Sequence, residues 1–178
     1  MIKIKEKLLT KNRWSRPGRK RKGVKGIEIH YVANAGTSAK FNRRWFEGHK
    51  NGKTGFGSTQ YIIDLNGNIV QIIPDEEIAY SSGGRKYKEG IKEKLGTPPY
   101  HNTLSIECTH TENDGKMTDE TYNSLIELCT YLCNKYKLDS RNLYLHYDCT
   151  GKICHKWFVD NLDEWKIFKN SVEGGLKS

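Results

Sequence analysis

Two short apolar runs, residues 61–64 (Tyr-Ile-Ile-Asp) and 68–73 (Asn-Ile-Val-Gln-Ile-Ile), are separated only by Leu65-Asn66-Gly67. Asn-Gly tolerates the positive φ of a tight turn, so this stretch reads as a β-hairpin. Other strand patterns flank it. Residues 26–32 (Gly-Ile-Glu-Ile-His-Tyr-Val) alternate apolar and polar, residues 103–108 read as a strand, and residues 142–147 read as a short strand ending at a histidine. Helical patterns lie between them. Residues 37–50 carry a cap in Ser38, an apolar face in Phe41, Trp45 and Phe46, and Gly52 beyond the end. Residues 118–138 place Tyr122, Leu125, Ile126, Cys129, Leu132, Cys133 and Tyr136 at helical spacing, with Thr118 or Asp119 as cap. Residues 161–172 form a last helix with Leu162, Trp165 and Phe168 inward, and residues 75–99 read as loop. Interleaved strands and helices predict an α/β single domain with a mixed central β-sheet flanked by helices.

Charge is concentrated at one end. Residues 1–25 hold eleven Lys or Arg against one acid, Glu6, and carry +10; the net charge is +9, so the rest is near −1. We expect a basic lead-in arm over 1–24, a catalytic domain over 25–170 and a tail or linker start over 171–178. An arm of this kind suits an anionic polymer, or it merely solubilises the chain. Ten Tyr, five Phe and four Trp exclude a disordered chain. No apolar run is long enough to span a membrane. The first ten residues lack the continuous apolar stretch of a signal peptide, which implies synthesis in a cytoplasm without one. Five cysteines, an odd number without regular spacing, argue against a disulfide scaffold. Cys129 and Cys133 read as core residues of their helix.

The informative stretch is His146-Tyr147-Asp148-Cys149-Thr150-Gly151-Lys152-Ile153-Cys154. A histidine at a strand end is followed eight residues later by a cysteine, with a lysine two residues before it. His30 ends an earlier strand. Strand ends bring side chains into one crevice at a sheet edge, and three such ligands leave the fourth position of a zinc ion open for water. That is what a hydrolase needs. Taken alone, each of these side chains is as readily structural. A closed four-ligand zinc site from His146, Cys149, Cys154 and His155 is the sharper rival, although its spacing does not match the common finger patterns.

His146-Tyr147-Asp148, Thr150-Gly151-Lys152 and Cys154, with the early Ile27-Glu28-Ile29-His30-Tyr31-Val32 strand, resemble the type 2 N-acetylmuramoyl-L-alanine amidases. That family includes bacteriophage endolysin catalytic domains and is related to the peptidoglycan recognition proteins. The segments from Leu9 to Gly18 and from Ala33 to Ala39 are similar to the endolysin branch, and the resemblance runs to about Phe158. It implies the amidase and recognition-protein fold, one catalytic Zn2+ on His30, His146 and Cys154, Glu107 as general base and Lys152 beside the developing oxyanion. Tyr31, Tyr80 and Gly83 are the implied substrate contacts. The chain departs from the pattern where relatives place a Tyr after the first helix, since Thr59 or Gln60 stands there and Tyr61 is displaced. His155 stands where relatives often have Pro, and His49, His101 and His110 match no ligand position.

The implied activity is hydrolysis of the amide between N-acetylmuramic acid and L-alanine in peptidoglycan, as a phage endolysin acting on the wall after release and causing host lysis. A host autolysin, a sporulation amidase and a non-catalytic peptidoglycan-binding module are the alternatives. Cys154, which non-catalytic relatives lack, favours the enzyme. Anionic wall polymers are the expected partner of the basic arm. Nucleic-acid binding has no support beyond Lys25.

Overall fold

The computed structural model describes residues 2–176. Met1, Lys177 and Ser178, the ends of the expected arm and tail, lie outside the described residues. In chain order the elements are β1 (Ile4–Glu6), β2 (Gly26–Tyr31), α1 (Ala39–Gly48), β3 (Tyr61–Ile63), β4 (Ile69–Gln71), α2 (Ile91–Leu95), β5 (Thr103–Cys108), α3 (Asp119–Tyr136), β6 (Leu143–Leu145), α4 (His146–Thr150), α5 (Lys156–Asp160) and α6 (Leu162–Gly174). The strands form one sheet in the order β1-β4-β3-β5-β2-β6. Only the β3–β4 pair is antiparallel. It is the hairpin expected from Asn66-Gly67: Gly67 has φ +77°, and Asp64 and Asn68 close the turn through backbone hydrogen bonds. The fold is α/β with a mixed sheet flanked by helices, as expected.

Alternation along the strands decides what each face of the sheet does. In β2 and β5, Ile27, Ile29, Leu104, Ile106 and Cys108 point to one face, where they pack with Leu125, Leu128 and Leu132 of α3 and Phe168 of α6. Burying one such side chain contributes roughly 1.5–3 kcal/mol. The intervening residues Glu28, His30, Thr103, Ser105 and Glu107 point to the other face. Buried polar groups there satisfy one another: Gln60 Oε1 accepts from the Ser105 backbone N–H at 2.9 Å and from its hydroxyl at 2.8 Å. α1 packs on this second face, through Ala39 and Phe46 against Ile62, Ile72 and Ile73.

Several expectations are corrected. Phe41 and Trp45 do not share the buried face with Phe46; they are 52% and 53% exposed, and Ala39 and Asn42 take their places. The strand before His146 stops at Leu145, and His146 opens α4. Leu162 is 66% exposed at the start of α6, and Val172 is buried instead. The loop over 75–99 contains the short α2. Residues 2–24 do not stand away from the domain. β1 adds an edge strand, Leu9 is buried, and the Arg16 guanidinium makes a bidentate buried ion pair with Glu77 at 2.9 Å. Arg21 donates to four backbone carbonyls, those of Asp75, Glu77, Tyr100 and Thr103. A guanidinium has five donors in a fixed fork, so one side chain ties several segments together. α6 runs past residue 170 to Gly174.

Candidate metal centre and groove

His30 lies near the end of β2, one strand from β6. Because β6 alternates in step with β2, the position after Leu145 falls on the same face as His30. Glycine then returns the chain. Gly151 closes α4 with φ +83°, a left-handed conformation that costs a residue with Cβ about 1–2 kcal/mol. The Tyr147 N–H donates to the Cys154 carbonyl at 2.8 Å, closing the loop. The spacing between His146 and Cys154 is thus one helical turn and its return. One donor atom from each of His30, His146 and Cys154 lies within 4.8 Å of the others, and all three residues are buried. Cys154 Sγ is 3.7 Å from His30 Nδ1, and the two imidazole rings are 4.9 Å apart, edge to face.

Two nitrogens and one sulfur in that space suit zinc, with one position left for water or substrate. Burial, together with the neighbouring His30, holds His146 down to about 3, so its imidazole is in the neutral, ligating form. Burial opposes charge on His30 as well, but the Cys154 sulfur and Glu28 outweigh it and raise its pKa. The closed rival site does not assemble. Cys149 is buried among Ile91 and Leu95, and the His30–His146–Cys154 group is the only such group among the described residues.

Glu28 was not found from sequence. Its Oε2 lies 3.6 Å from His30 Nε2, longer than a hydrogen bond but close for opposite charges. Its Oε1 accepts from the Ser82 hydroxyl at 2.8 Å and the Thr103 hydroxyl at 2.5 Å. Burial alone would raise Glu28, yet His30 and these hydroxyls lower it, so it stays ionised. A carboxylate behind a ligating histidine fixes the ring and strengthens its donor nitrogen. The available signal was an acid two residues before His30 in an alternating strand, which places it on the same face.

Glu107 is the register partner of His30 on β5. Burial pushes its carboxyl from an ordinary 4.5 up to about 7, with His30 and Lys152 pulling the other way. Its Oε2 has no hydrogen-bond partner. Glu107 and the exposed Lys152 line one groove of about 430 Å³ with Tyr31, Trp45, Phe56 and Tyr80. Gly83 does not line this groove and sits in a neighbouring cavity with Tyr87 and Tyr100. Tyr61 points away, its hydroxyl donating to Asp75 at 2.5 Å. Thr59 hydrogen-bonds the Ser105 carbonyl at 2.9 Å, so neither residue faces the groove as a phenol would.

The family model described as N-acetylmuramoyl-L-alanine amidase matches residues 19–157. The chain is 33% identical over 179 residues to the N-acetylmuramoyl-L-alanine amidase CwlL of Bacillus licheniformis, covering 99% of this chain and 48% of that protein. It spans about half the length of the curated relatives it matches. Among solved structures, PlyL superposes with a TM-score of 0.76 at 20% identity over 99% of this chain and all of that one. A mutant endolysin from Bacillus subtilis superposes with a TM-score of 0.72 at 22% identity over 94% and 99%. At these identities the structures establish the shared fold.

Proposed function

The chain belongs to the N-acetylmuramoyl-L-alanine amidase family, and from that premise we propose that it hydrolyses the amide joining N-acetylmuramic acid to L-alanine in peptidoglycan. The observation that carries this reading is the buried His30–His146–Cys154 group set beside a groove lined by Glu107, the register partner of His30, and by Lys152, two residues before Cys154. Those three residues would hold zinc. When bound, zinc supplies Lewis acidity that polarises the scissile carbonyl and makes water a stronger acid.

The chain's own groups supply the remainder. Glu107, with a pKa raised to about 7, accepts a proton from the attacking water and returns it to the departing amine of L-alanine. Lys152 places a positive charge at the groove where the carbonyl oxygen becomes negative. Tyr31 and Tyr80 offer flanking surface to the substrate; Gly83, set in the next cavity, would touch only a longer part of it.

The setting we propose is that of a phage endolysin, made in the host cytoplasm and acting on the wall after release. Among the described residues no helix is long and apolar enough to cross a membrane. Anionic wall polymers are the second proposed partner, through the part of the basic N-terminal segment that lies beside α1.

An end-group assay on purified peptidoglycan, with and without a chelator, tests the chemistry. New α-amino ends without new reducing sugar ends, abolished by chelation and restored by zinc, are expected. New reducing ends would mean a glycosidase and would overturn the reading.

A further inference from the structure

α1 forms a ridge across one face of the sheet, above β3. The catalytic groove lies on one flank, bordered by Phe41 and Trp45. On the other flank, between α1 and the edge strand β1, lies a second groove of about 630 Å³. Sheet register explains what lines it. Lys5 pairs with Val70 and Val70 with Ile62, so all three point to the face that carries α1. Lys3 and Lys7, two residues to either side, point the same way. From the helix, Lys40, Arg43 and Arg44 complete the wall. The six cations face a single carboxylate, Asp64, whose Oδ1 already accepts the Ala39 and Leu65 backbone N–H groups. Arg43 is partly engaged, donating to the Lys7 and Leu8 carbonyls and pairing with Glu47. Lys3, Lys5, Lys7, Lys40 and Arg44 make no ion pair among the described residues.

We propose that this groove binds a linear anionic wall polymer of the poly(polyol phosphate) class while the opposite flank of α1 holds peptidoglycan. The polymer's identity rests on the wall-hydrolase reading above. Lysines at alternate positions along extended backbone, as Lys3, Lys5 and Lys7 are in and beside β1, stand roughly 6.6 Å apart, close to the extended repeat of a three-carbon phosphodiester chain. Concave walls of one sign also focus the field on a threaded anion. The groove contains no aromatic side chain on which bases would stack, which favours a polymer without bases over a nucleic acid. Lysine on an edge strand also discourages strand-to-strand association. That role needs no matching cations from α1, and here they are present.

The test compares the wild-type chain with two triple variants of equal charge loss. One removes groove cations (Lys3→Gln, Lys5→Gln, Arg44→Gln). The other removes exposed cations elsewhere in the lead-in (Lys20→Gln, Lys22→Gln, Lys25→Gln). Binding of a purified poly(glycerol phosphate) oligomer is measured against salt, beside an oligothymidylate with the same number of phosphates. The groove variant is expected to lose at least about tenfold in affinity near 0.1 M salt and to lower the salt slope by about two, while the control variant does neither. Equal loss in both variants, absence of saturable binding, or tighter binding of the oligonucleotide overturns the proposal. So does loss of hydrolysis of polymer-stripped peptidoglycan by the groove variant, since the defect would then extend beyond the groove. A wild-type chain that binds the polymer but cuts no stripped peptidoglycan supports the groove and removes the amidase reading.

Discussion

Glu28 Oε2 stands 3.6 Å behind His30 Nε2, while Nδ1 of the same ring faces Cys154. The carboxylate is fixed from its other side by the Ser82 and Thr103 hydroxyls, so it can hold the ring in one orientation. Glu28→Gln keeps the shape and removes the charge. Zinc affinity, measured by competition with a chromophoric chelator, is expected to fall about 10- to 100-fold. Unchanged affinity would confine Glu28 to a packing role.

Cys149 in α4 and Cys154 just beyond it are both buried, yet only Cys154 belongs to the metal group. Cys154→Ser is expected to abolish stoichiometric zinc, read by elemental analysis after dialysis. Cys149→Ser should retain it. Loss of zinc in the Cys149 variant would revive the closed four-ligand site.

Glu107→Gln should retain zinc and lower peptidoglycan hydrolysis by about 10²- to 10⁴-fold, the usual worth of a positioned proton carrier. Intact activity with bound zinc would remove the assignment of Glu107 as base.

The same residue makes a stability prediction for the zinc-free protein. Its folded pKa of about 7 lies above the ordinary 4.5 of an unfolded Glu, because burial penalises the charge. Folding therefore favours the protonated form. Full stability is present below about pH 4.5 and is lost as pH rises through 7, by on the order of 3 kcal/mol. In chelator, Glu107→Gln is expected to melt near wild type at pH 4.5 and above it at pH 8. A gap that does not grow with pH would contradict the raised pKa.

Trp45 is 53% exposed and borders the groove, with its inner edge against Phe46 and His49. Trp45→Ala should cost no more than about 1–2 kcal/mol of stability, the worth of its ring contacts with Phe46 and His49. It should raise KM for peptidoglycan severalfold while kcat holds. A large drop in melting temperature with unchanged KM would make Trp45 structural.

Elements whose residues interact with near neighbours were legible from the chain itself. The Asn66-Gly67 hairpin, the Ser38 cap of α1 and the Thr118 cap of α3 are local hydrogen-bonding choices, and all three form as expected. The alternation of Ile27-Glu28-Ile29-His30 was also visible, and with it the side of the strand on which a ligand must sit. His30, His146 and Cys154 could be named because motif order carried them, and the sheet brings them together.

What the sequence by itself determined was the set of strands and long helices, the mixed α/β class and the identity of the candidate ligands, since each follows from short-range periodicity or from a motif of consecutive residues. Tertiary structure decided which polar strand residues act together and where the basic segment lies. Glu28 acquires its place behind His30 only when Ser82 and Thr103 close over it. Phe41 and Trp45 share helical spacing with Phe46, yet the sheet covers only one side of α1 and leaves them to the groove. Lys3, Lys5 and Lys7 read as part of a loose arm until pairing of β1 with β4 turns them toward α1. In each case the deciding contact joins residues far apart in the chain, and no local preference encodes such a contact.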